Sequence, residues 1–395
     1  MLLFQLTCLL FGLFATVSNA QDKWNGWRLD AGCAPYKTKL DEAYKDVALL
    51  AGKASYDLGL VIDGDGGAEP ERLPRIRRAI TTIFGYRFPN EDPITAEHHQ
   101  IKIIKANFDK IRDAVGQGII TPPNGHYNLP GGPLLQCGVG LWQKHLADEP
   151  DPDNPDHLVK ERDPTLANAL GAWFHDHRFI PLRSLDETDP YLCDEANVGM
   201  VSSDLDLLTL CFFNAPEWET WPSLDNWPIK EKDSMRKLRR SLPATILHEL
   251  MHWFSLEEQT MKNKEGKEVK VWLPAVTDKP CFDHRGWYVY KSPQNKLKCR
   301  REPGGDGKII GAYGFKCSTN LARFYPGSSR DNADSYAIFA LMSFFSDWGW
   351  NYGVAWYHDE DYDAVGENPD EKSWRTKGGP ENVDEDDCPQ FNLDA

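Results

Sequence analysis

This 395-residue sequence lacks three features: a basic patch, an N-x-S/T sequon and, after residue 20, any long apolar run. The net charge is −16 and the pI is about 5.2, so nucleic acids and anionic membranes are poor partners. No later stretch approaches the roughly 20 apolar residues that a membrane-spanning helix needs. The sequence therefore predicts a soluble mature protein without N-glycans that binds neither nucleic acid nor membrane.

The first 20 residues, MLLFQLTCLLFGLFATVSNA, are apolar and end in small residues, and polar residues follow them. This pattern is typical of a secretory signal peptide that is cleaved after Ala20. We therefore predict that residues 1–20 are removed and that the protein is secreted and extracellular.

The sequence also contains no C-x-x-C pair. Without Cys8 of the predicted signal peptide, eight widely spaced cysteines remain, which in an oxidising compartment favours disulfide bonds over a thiolate metal site. Their spacing does not determine which cysteines pair. The eight are Cys33, Cys137, Cys193, Cys211, Cys281, Cys299, Cys317 and Cys388.

Three segments of the N-terminal half, beginning at Tyr36, Glu71 and Thr95, have the apolar spacing of helices. They predict a mainly helical region over residues 21–200, which is either part of the catalytic fold or a propeptide. Within it, LADEPDPDNPDHLVKERDP is rich in proline and acidic residues and predicts an exposed loop without regular structure.

VSSDLDLLTLCFF, from Val201, has the apolar run and alternation of a strand.

From Asp359 to Ala395 the chain has 13 acidic and 3 basic residues, a net charge of −10. Residues 358–395 are therefore predicted to be an acidic, disordered tail.

The strongest functional signal is the H-E-L-M-H motif of His248, Glu249 and His252. Residues four apart on a helix lie on one face, so both histidines can direct ring nitrogens at one ion. Glu249 can then take a proton from water that a bound zinc ion has made acidic. Ser241 as the N-cap and Pro243 in the first turn favour a helix here.

Two structural histidines on an ordinary helix remain an alternative, because a random H-E-x-x-H is expected in about 2% of such chains. A zinc site also needs a third protein ligand. The metzincin pattern requires glycine at position 255 and histidine at 258, where Ser255 and Glu258 stand, so that class is excluded. The segment that follows, EEQTMKNKEGKEVK, predicts a charged turn or hairpin around Gly266.

Farther along, GAYGFKCSTNLARFYPGSSRDNADSYAIFAL contains Tyr313-Gly314 and the segment Asn332–Tyr336. With the H-E-x-x-H helix and the strand before it, these segments resemble the deuterolysin-like aspzincins, fungal secreted zinc endopeptidases that include lysine-specific ones. The resemblance covers roughly Val201 to Phe345. It implies a zincin-like fold, Zn²⁺ as the cofactor and a protein or peptide as the substrate.

The resemblance also implies an aspartate as the third zinc ligand, three residues before the tyrosine, but Ile310 stands there. An insertion between the aspartate and the tyrosine is the simplest explanation. Asp278, directly after Thr277, is then the first choice for the ligand, and Asp283 and Asp306 are alternatives. A site without an aspartate ligand also stays open.

Two further roles follow from the resemblance. Tyr313 would donate a hydrogen bond to the oxyanion of the tetrahedral intermediate, or it simply closes a turn. Asp334 would lie near the pocket for the residue after the cut bond and favour lysine there, or it caps the helix that begins beside it.

We therefore predict an α+β fold in which a zincin-like catalytic region, residues 201–357, places the H-E-x-x-H helix beside a small sheet. The predicted function is that of a secreted, monomeric zinc metalloendopeptidase, with His248, His252 and Asp278 as ligands and Glu249 as the general base. The alternative is a secreted zinc-binding or surface protein with a degenerate, non-catalytic site, since the spacing between aspartate and tyrosine departs from the family pattern.

Overall fold

A computed structural model describes residues 23–24, 26–63, 69–88, 96–117, 129, 131–194, 197–262, 266–294, 296–304, 306–351 and 353–357. The predicted signal peptide, residues 1–20, and the predicted acidic tail, residues 358–395, lie outside the described residues.

The described residues form a mixed α+β fold, as the sequence predicts. The helices are α1 Lys37–Asp63, α2 Leu73–Phe84, α3 Ala96–Gln117, α4 Met235–Arg239, α5 Leu242–Phe254, α6 Gly314–Phe324, α7 Pro326–Arg330 and α8 Ala333–Phe344. The strands are β1 Lys23–Trp24, β2 Trp27–Leu29, β3 Leu134–Cys137, β4 Gln143–Leu146, β5 Pro150–Asp151, β6 Asn154–Leu158, β7 Gly171–His175, β8 Arg178–Pro181, β9 Gly199–Ser202, β10 Leu207–Leu210, β11 Leu256–Lys262, β12 Glu268–Pro274, β13 Tyr288–Lys291, β14 Leu297–Arg300, β15 Lys308–Ile309, β16 Trp348–Asn351 and β17 Val354–Tyr357.

The three predicted helices of the N-terminal half are present as α1, α2 and α3. Along α1, buried side chains recur every three or four residues, so that one face is apolar. Helix α2 ends at Gly85, whose φ of 75° favours glycine. A Cβ atom at Gly85 would lie 2.1 Å from the carbonyl oxygen of Ala322, so this close approach also requires glycine. The buried face of α1 consists of Leu40, Tyr44, Val47, Ala51, Ala54, Leu58 and Val61.

Other expectations for the region before the motif were wrong. Residues 134–181 contain strands β3 to β8 instead of continuing the helical region. The stretch rich in proline and acidic residues includes the antiparallel pair β5 and β6, because Asp151 organises the turn by accepting from the backbone N–H of Asp153 and from Arg162. The segment after Val201 is not one strand, since Asp206, at φ 45°, ends a turn between β9 and β10.

The largest sheet carries the strand that approaches the motif helix. Its order is β1-β2-β3-β10-β9, with β3 parallel to β2 and β10, and β9 antiparallel to β10. Among the described strands β9 is therefore at the edge of this sheet, and it packs against α5. The charged hairpin predicted around Gly266 is confirmed as the antiparallel pair β11 and β12, which follows α5 directly.

The N-terminal helices share one hydrophobic core with α5 and α8. Phe108 of α3 is fully buried, and its ring centroid lies 5.2 Å from that of Tyr336 and 6.1 Å from that of Phe339, both in α8. The Nδ2 atom of Asn107 donates to the Tyr336 hydroxyl at 2.9 Å. The helical segment is therefore an integral part of the core that supports the motif.

Replacing Phe108 with alanine is expected to destabilise the whole fold by about 3–5 kcal/mol, because it removes a buried aromatic side chain. Urea unfolding, followed by the fluorescence of tryptophans in the C-terminal half, measures this loss. Lys102→Ala, on the exposed face of the same helix, is the control. An unchanged midpoint for Phe108→Ala would mean that α3 is dispensable, as a propeptide helix would be.

Between α5 and α6 the chain forms a small separate unit. Strands β13, β14 and β15 make an antiparallel sheet in the order β14-β13-β15, over a core that includes Phe282, Val289 and Leu321. The disulfide bond Cys281–Cys317 closes this unit. Its compact packing shows how the 34 residues between Asp278 and Tyr313 fit without separating them.

Disulfide bonds agree with the expectation from cysteine usage. Cys33–Cys137 and Cys193–Cys211 join the segments around the large sheet. Cys299 is disulfide-bonded as well. None of the helices in the described ranges combines the length and apolarity that a bilayer span requires.

Candidate functional site

The motif forms helix α5, and nearly every residue of this helix is buried. Ser241 occupies the N-cap position and Pro243 lies in the first turn, as predicted, but the Ser241 hydroxyl makes no capping hydrogen bond. His248 and His252 lie one turn apart, and their Nε2 atoms are 3.3 Å from each other. The helix therefore directs both rings to one point, as the spacing predicts.

Asp278 reaches the same point from a different part of the chain. Its segment is fixed on both sides, because the Thr277 N–H donates to the carbonyl of Asp331 at 2.8 Å and the Lys279 N–H donates to Asn332 Oδ1 at 3.1 Å. The Nδ2 atom of Asn332 in turn donates to the carbonyl of Ala312 at 3.3 Å. The side chain of Asn332 thus ties the Asp278 segment to the segment that enters α6.

The donor atoms have the spacing of a tetrahedral zinc site. Asp278 Oδ1 lies 3.2 Å from His248 Nε2 and 3.6 Å from His252 Nε2. In a tetrahedron with metal bonds of about 2.0–2.1 Å, ligand atoms are about 3.3 Å apart. Two imidazole nitrogens and one carboxylate oxygen are a usual zinc donor set, so these residues fit the ion that the sequence implies.

The other two candidates for the third ligand are not part of this cluster. Asp283 is buried, and its oxygens accept from the side chain and N–H of Arg285 and from the N–H of Trp287. Asp306 is exposed and belongs to no metal-binding group found among the described residues. The structure therefore brings together His248, His252 and Asp278.

Hydrogen bonds to the Nδ1 atoms, on the side of each ring away from the other donor atoms, orient both imidazoles. The Nδ1 atom of His252 lies 2.9 Å from the carbonyl oxygen of Val276, which can only accept, so Nδ1 carries the proton and Nε2 is a free donor to metal. The Nδ1 atom of His248 lies 3.2 Å from Asp334 Oδ1 and 3.0 Å from Arg239 Nη2.

The ionisable groups of the cluster change one another's pKa. Burial lowers the pKa of His248, but Asp278 and Asp334 on either side raise it to about 10. Partial burial raises the pKa of Asp278, whereas His248 and His252 hold it well below its usual range. Without metal the cluster therefore holds imidazolium beside carboxylate, and a divalent cation would take the place of that proton.

Glu249 lies beside the ligands on the side of the large sheet. It is 5% exposed, and burial raises the pKa of its carboxyl group, although the two histidines lower it. A Cβ atom on Gly199, in β9, would lie 3.1 Å from Glu249 Oε1 and 2.8 Å from Thr245 Cγ2. The edge strand thus passes against the carboxylate, with no room for a side chain at Gly199.

Tyr313 lies on the exposed side of the cluster. It is half exposed, its ring centroid is 5.9 Å from that of His248, and its hydroxyl donates to Asp278 Oδ2 at 2.8 Å. Partial burial and the Asp278 carboxylate raise the pKa of Tyr313, so its hydroxyl stays protonated at neutral pH. The phenol is therefore available as a hydrogen-bond donor next to the ligands.

Asp334 lies behind His248 and away from any open surface. It is fully buried, and its oxygens accept from Arg239, from His248 Nδ1 and from the N–H of Gly314 at 2.6 Å. A substrate lysine could reach this carboxylate only by displacing Arg239. The structure thus gives no support to the pairing with lysine that the resemblance implies.

Three residues of this arrangement escaped the sequence analysis: Arg239, Asn332 and Gly199. Arg239 is one of several basic residues before the motif helix, and Asn332 was noted only as the start of the Asn332–Tyr336 segment. Gly199 stands two residues before a predicted strand, which is too common a position for glycine to mark a site. All three act through contacts between segments distant in sequence.

The chemistry of the site is inferred from its donor atoms and their surroundings. Comparisons with protein-family models, with characterised proteins and with solved structures find no match for this chain.

Proposed function

We propose that this protein is a secreted zinc-dependent endopeptidase of the aspzincin type, with a zincin-like catalytic region. The observation that supports this most is the spacing of 3.2, 3.3 and 3.6 Å between the donor atoms of His248, His252 and Asp278. A buried glutamate and a protonated tyrosine beside these ligands are the groups that peptide hydrolysis needs.

Bound zinc would supply a Lewis acid that polarises the scissile carbonyl and makes water acidic. Glu249 takes the proton from the attacking water and then passes it to the leaving amine. Burial raises the pKa of Glu249 toward neutral pH, which makes this carboxylate a better base. Tyr313 turns its hydroxyl from Asp278 to the oxyanion and donates a hydrogen bond there.

Strand β9 provides the surface for the substrate. It is the edge strand beside α5 among the described strands, so an extended peptide can pair with its backbone. Because β9 passes against Glu249 at Gly199, a paired peptide would lie with its backbone next to the general base. This placement favours an endopeptidase that acts on unfolded segments, since a strand added at an edge must be extended.

Gly199→Ala is expected to lower kcat/KM by about 10²-fold, because the new methyl group displaces either Glu249 or the strand by a fraction of an ångström or more. Zinc content should stay at one ion per chain, since no ligand is touched. Gly140→Ala, at a glycine with open space around it, is the matched control. Wild-type kinetics for Gly199→Ala would show that β9 does not hold the substrate beside Glu249.

The proposal is tested with the purified secreted protein, whose mass is first measured to detect a precursor. Metal analysis should find one zinc per chain, and a reduced, alkylated protein substrate should be cleaved. Chelation by 1,10-phenanthroline should stop cleavage and added zinc should restore it, while His252→Ala should show neither zinc nor cleavage.

Two outcomes contradict the proposal in different ways. Stoichiometric zinc without cleavage, in a chain of mature mass, would favour the secreted zinc-binding protein with a non-catalytic site. Absence of zinc at any added concentration would exclude both functions and leave two structural histidines.

A further inference from the structure

Three hydrogen-bond donors from three parts of the chain converge on the carboxylate of Asp334. Arg239, in α4, donates through its guanidinium to Oδ1. His248 Nδ1 lies 3.2 Å from the same oxygen, and the N–H of Gly314, at the start of α6, donates to Oδ2 at 2.6 Å. No part of the Asp334 side chain is exposed, and the Arg239 side chain is only 12% exposed.

We propose that Arg239 and Asp334 are a positioning pair that keeps the Nδ1 proton of His248 in place, so that Nε2 is the nitrogen that binds metal. The same pair anchors Gly314 and thereby the neighbouring Tyr313. This inference rests on the metal site of the proposed function and adds two positioning residues to it.

The charge of Arg239 is needed because Asp334 is buried. An isolated carboxylate in such a place is strongly disfavoured, whereas a carboxylate with a hydrogen-bonded guanidinium can remain ionised. Arg239 donates to one carboxylate oxygen of Asp334 and the N–H of Gly314 donates to the other, so both oxygens are held as acceptors. The ionised carboxylate accepts the Nδ1 proton and makes the imidazole a stronger donor through Nε2.

Arg239 by itself would also allow the other tautomer of His248. Its Nη2 atom is 3.0 Å from Nδ1, so the guanidinium could donate to an unprotonated Nδ1 and leave the proton on Nε2. That tautomer cannot bind metal. Asp334 opposes it, because only a protonated Nδ1 can donate to the carboxylate, and metal binding at Nε2 selects the same tautomer.

An amide cannot replace the carboxylate at position 334. Asparagine has one acceptor oxygen and one NH₂ group, so at least one of the donors from Arg239, His248 and Gly314 would face another donor. Loss of an outer partner of this kind typically lowers metal affinity by about 10–100-fold.

The first test measures the zinc dissociation constant of the full chain by competition with a chromophoric chelator at fixed pH. Asp334→Asn is expected to bind zinc about 10–100-fold more weakly than wild type. Arg239→Gln should also weaken binding, and Arg239→Lys, which keeps the charge beside Asp334, should restore most of it. Asp331→Asn is the control, since that carboxylate pairs with Arg330 at a partly exposed position three residues away.

Fold effects are separated from positioning by two further measurements. Urea unfolding of the zinc-free variants identifies any that do not fold, and for these the comparison of Arg239→Gln with Arg239→Lys carries the test. NMR of ¹⁵N-histidine-labelled wild-type protein with zinc should find the His248 proton on Nδ1. That proton on Nε2, or unchanged zinc affinity for folded Asp334→Asn and Arg239→Gln, would overturn the inference.

These results also separate the inference from the function on which it rests. Wild-type protein that binds no zinc contradicts the proposed function itself. Wild-type protein that binds zinc and cleaves its substrate, with Asp334→Asn equal to Asp331→Asn in zinc affinity, contradicts only the positioning pair.

Discussion

Replacing Glu249 with glutamine is expected to lower the rate of peptide hydrolysis by about 10²–10⁴-fold while one zinc ion stays bound per chain. The amide keeps the size of the side chain but cannot take a proton from water. Zinc should remain because the three donor atoms belong to His248, His252 and Asp278. The measurement is kcat/KM on a quenched fluorescent peptide, with zinc content determined on the same sample.

Glu257→Gln, an exposed glutamate at the start of the β11–β12 hairpin, is the matched control and should behave as wild type. If Glu249→Gln cleaved the peptide as fast as wild type, Glu249 would not be the general base. If it lost zinc as well as activity, the experiment would point to a structural role for the buried carboxyl group.

Replacing Asp278 with alanine is expected to reduce zinc affinity by more than the about 10–100-fold that loss of an outer hydrogen-bond partner causes. A direct ligand is removed, and the two remaining imidazoles leave an incomplete site. The hydroxyl of Tyr313 also loses its acceptor at 2.8 Å. Chelator competition gives the affinity, and peptide cleavage should disappear with the metal.

Asp306→Ala is the control for this substitution, because Asp306 was an alternative ligand by sequence and is exposed in the structure. It should bind zinc as wild type does. Tight zinc binding by Asp278→Ala would show that another group completes the site.

Much of the local structure could be predicted from the sequence. The helices α1, α2 and α3 follow from apolar residues repeating every three or four positions, and the β11–β12 hairpin follows from Gly266 between charged segments. The edge strand was harder to predict, because the turn that ends at Asp206 divides a segment that was expected to be one strand. The proline and acidic residues around β5 and β6 predicted a loop and not strands. The turn of this pair depends on the contact between Asp151 and Arg162.

The expected role of Asp334 illustrates the limit of a motif. Its position in the Asn332–Tyr336 segment implies a place near a substrate pocket, but its surroundings depend on Arg239, which lies 95 residues earlier in the chain. The charge of a buried carboxylate is already compensated when a guanidinium is hydrogen-bonded to it, so this carboxylate does not bind a substrate cation. Sequence spacing alone could not distinguish this arrangement from an open acidic pocket.

The sequence by itself determined that His248, Glu249 and His252 would share one end of a helix. The hydrogen bonds of a helix are local, and they place residues four apart one above the other on the same face. Only the tertiary structure decided which carboxylate joins them. Asp278 and Tyr313 are 35 residues apart, and they meet because the Asn332 side chain and the unit closed by Cys281–Cys317 bring their segments together. Such contacts depend on the packing of distant segments, which the local sequence does not encode.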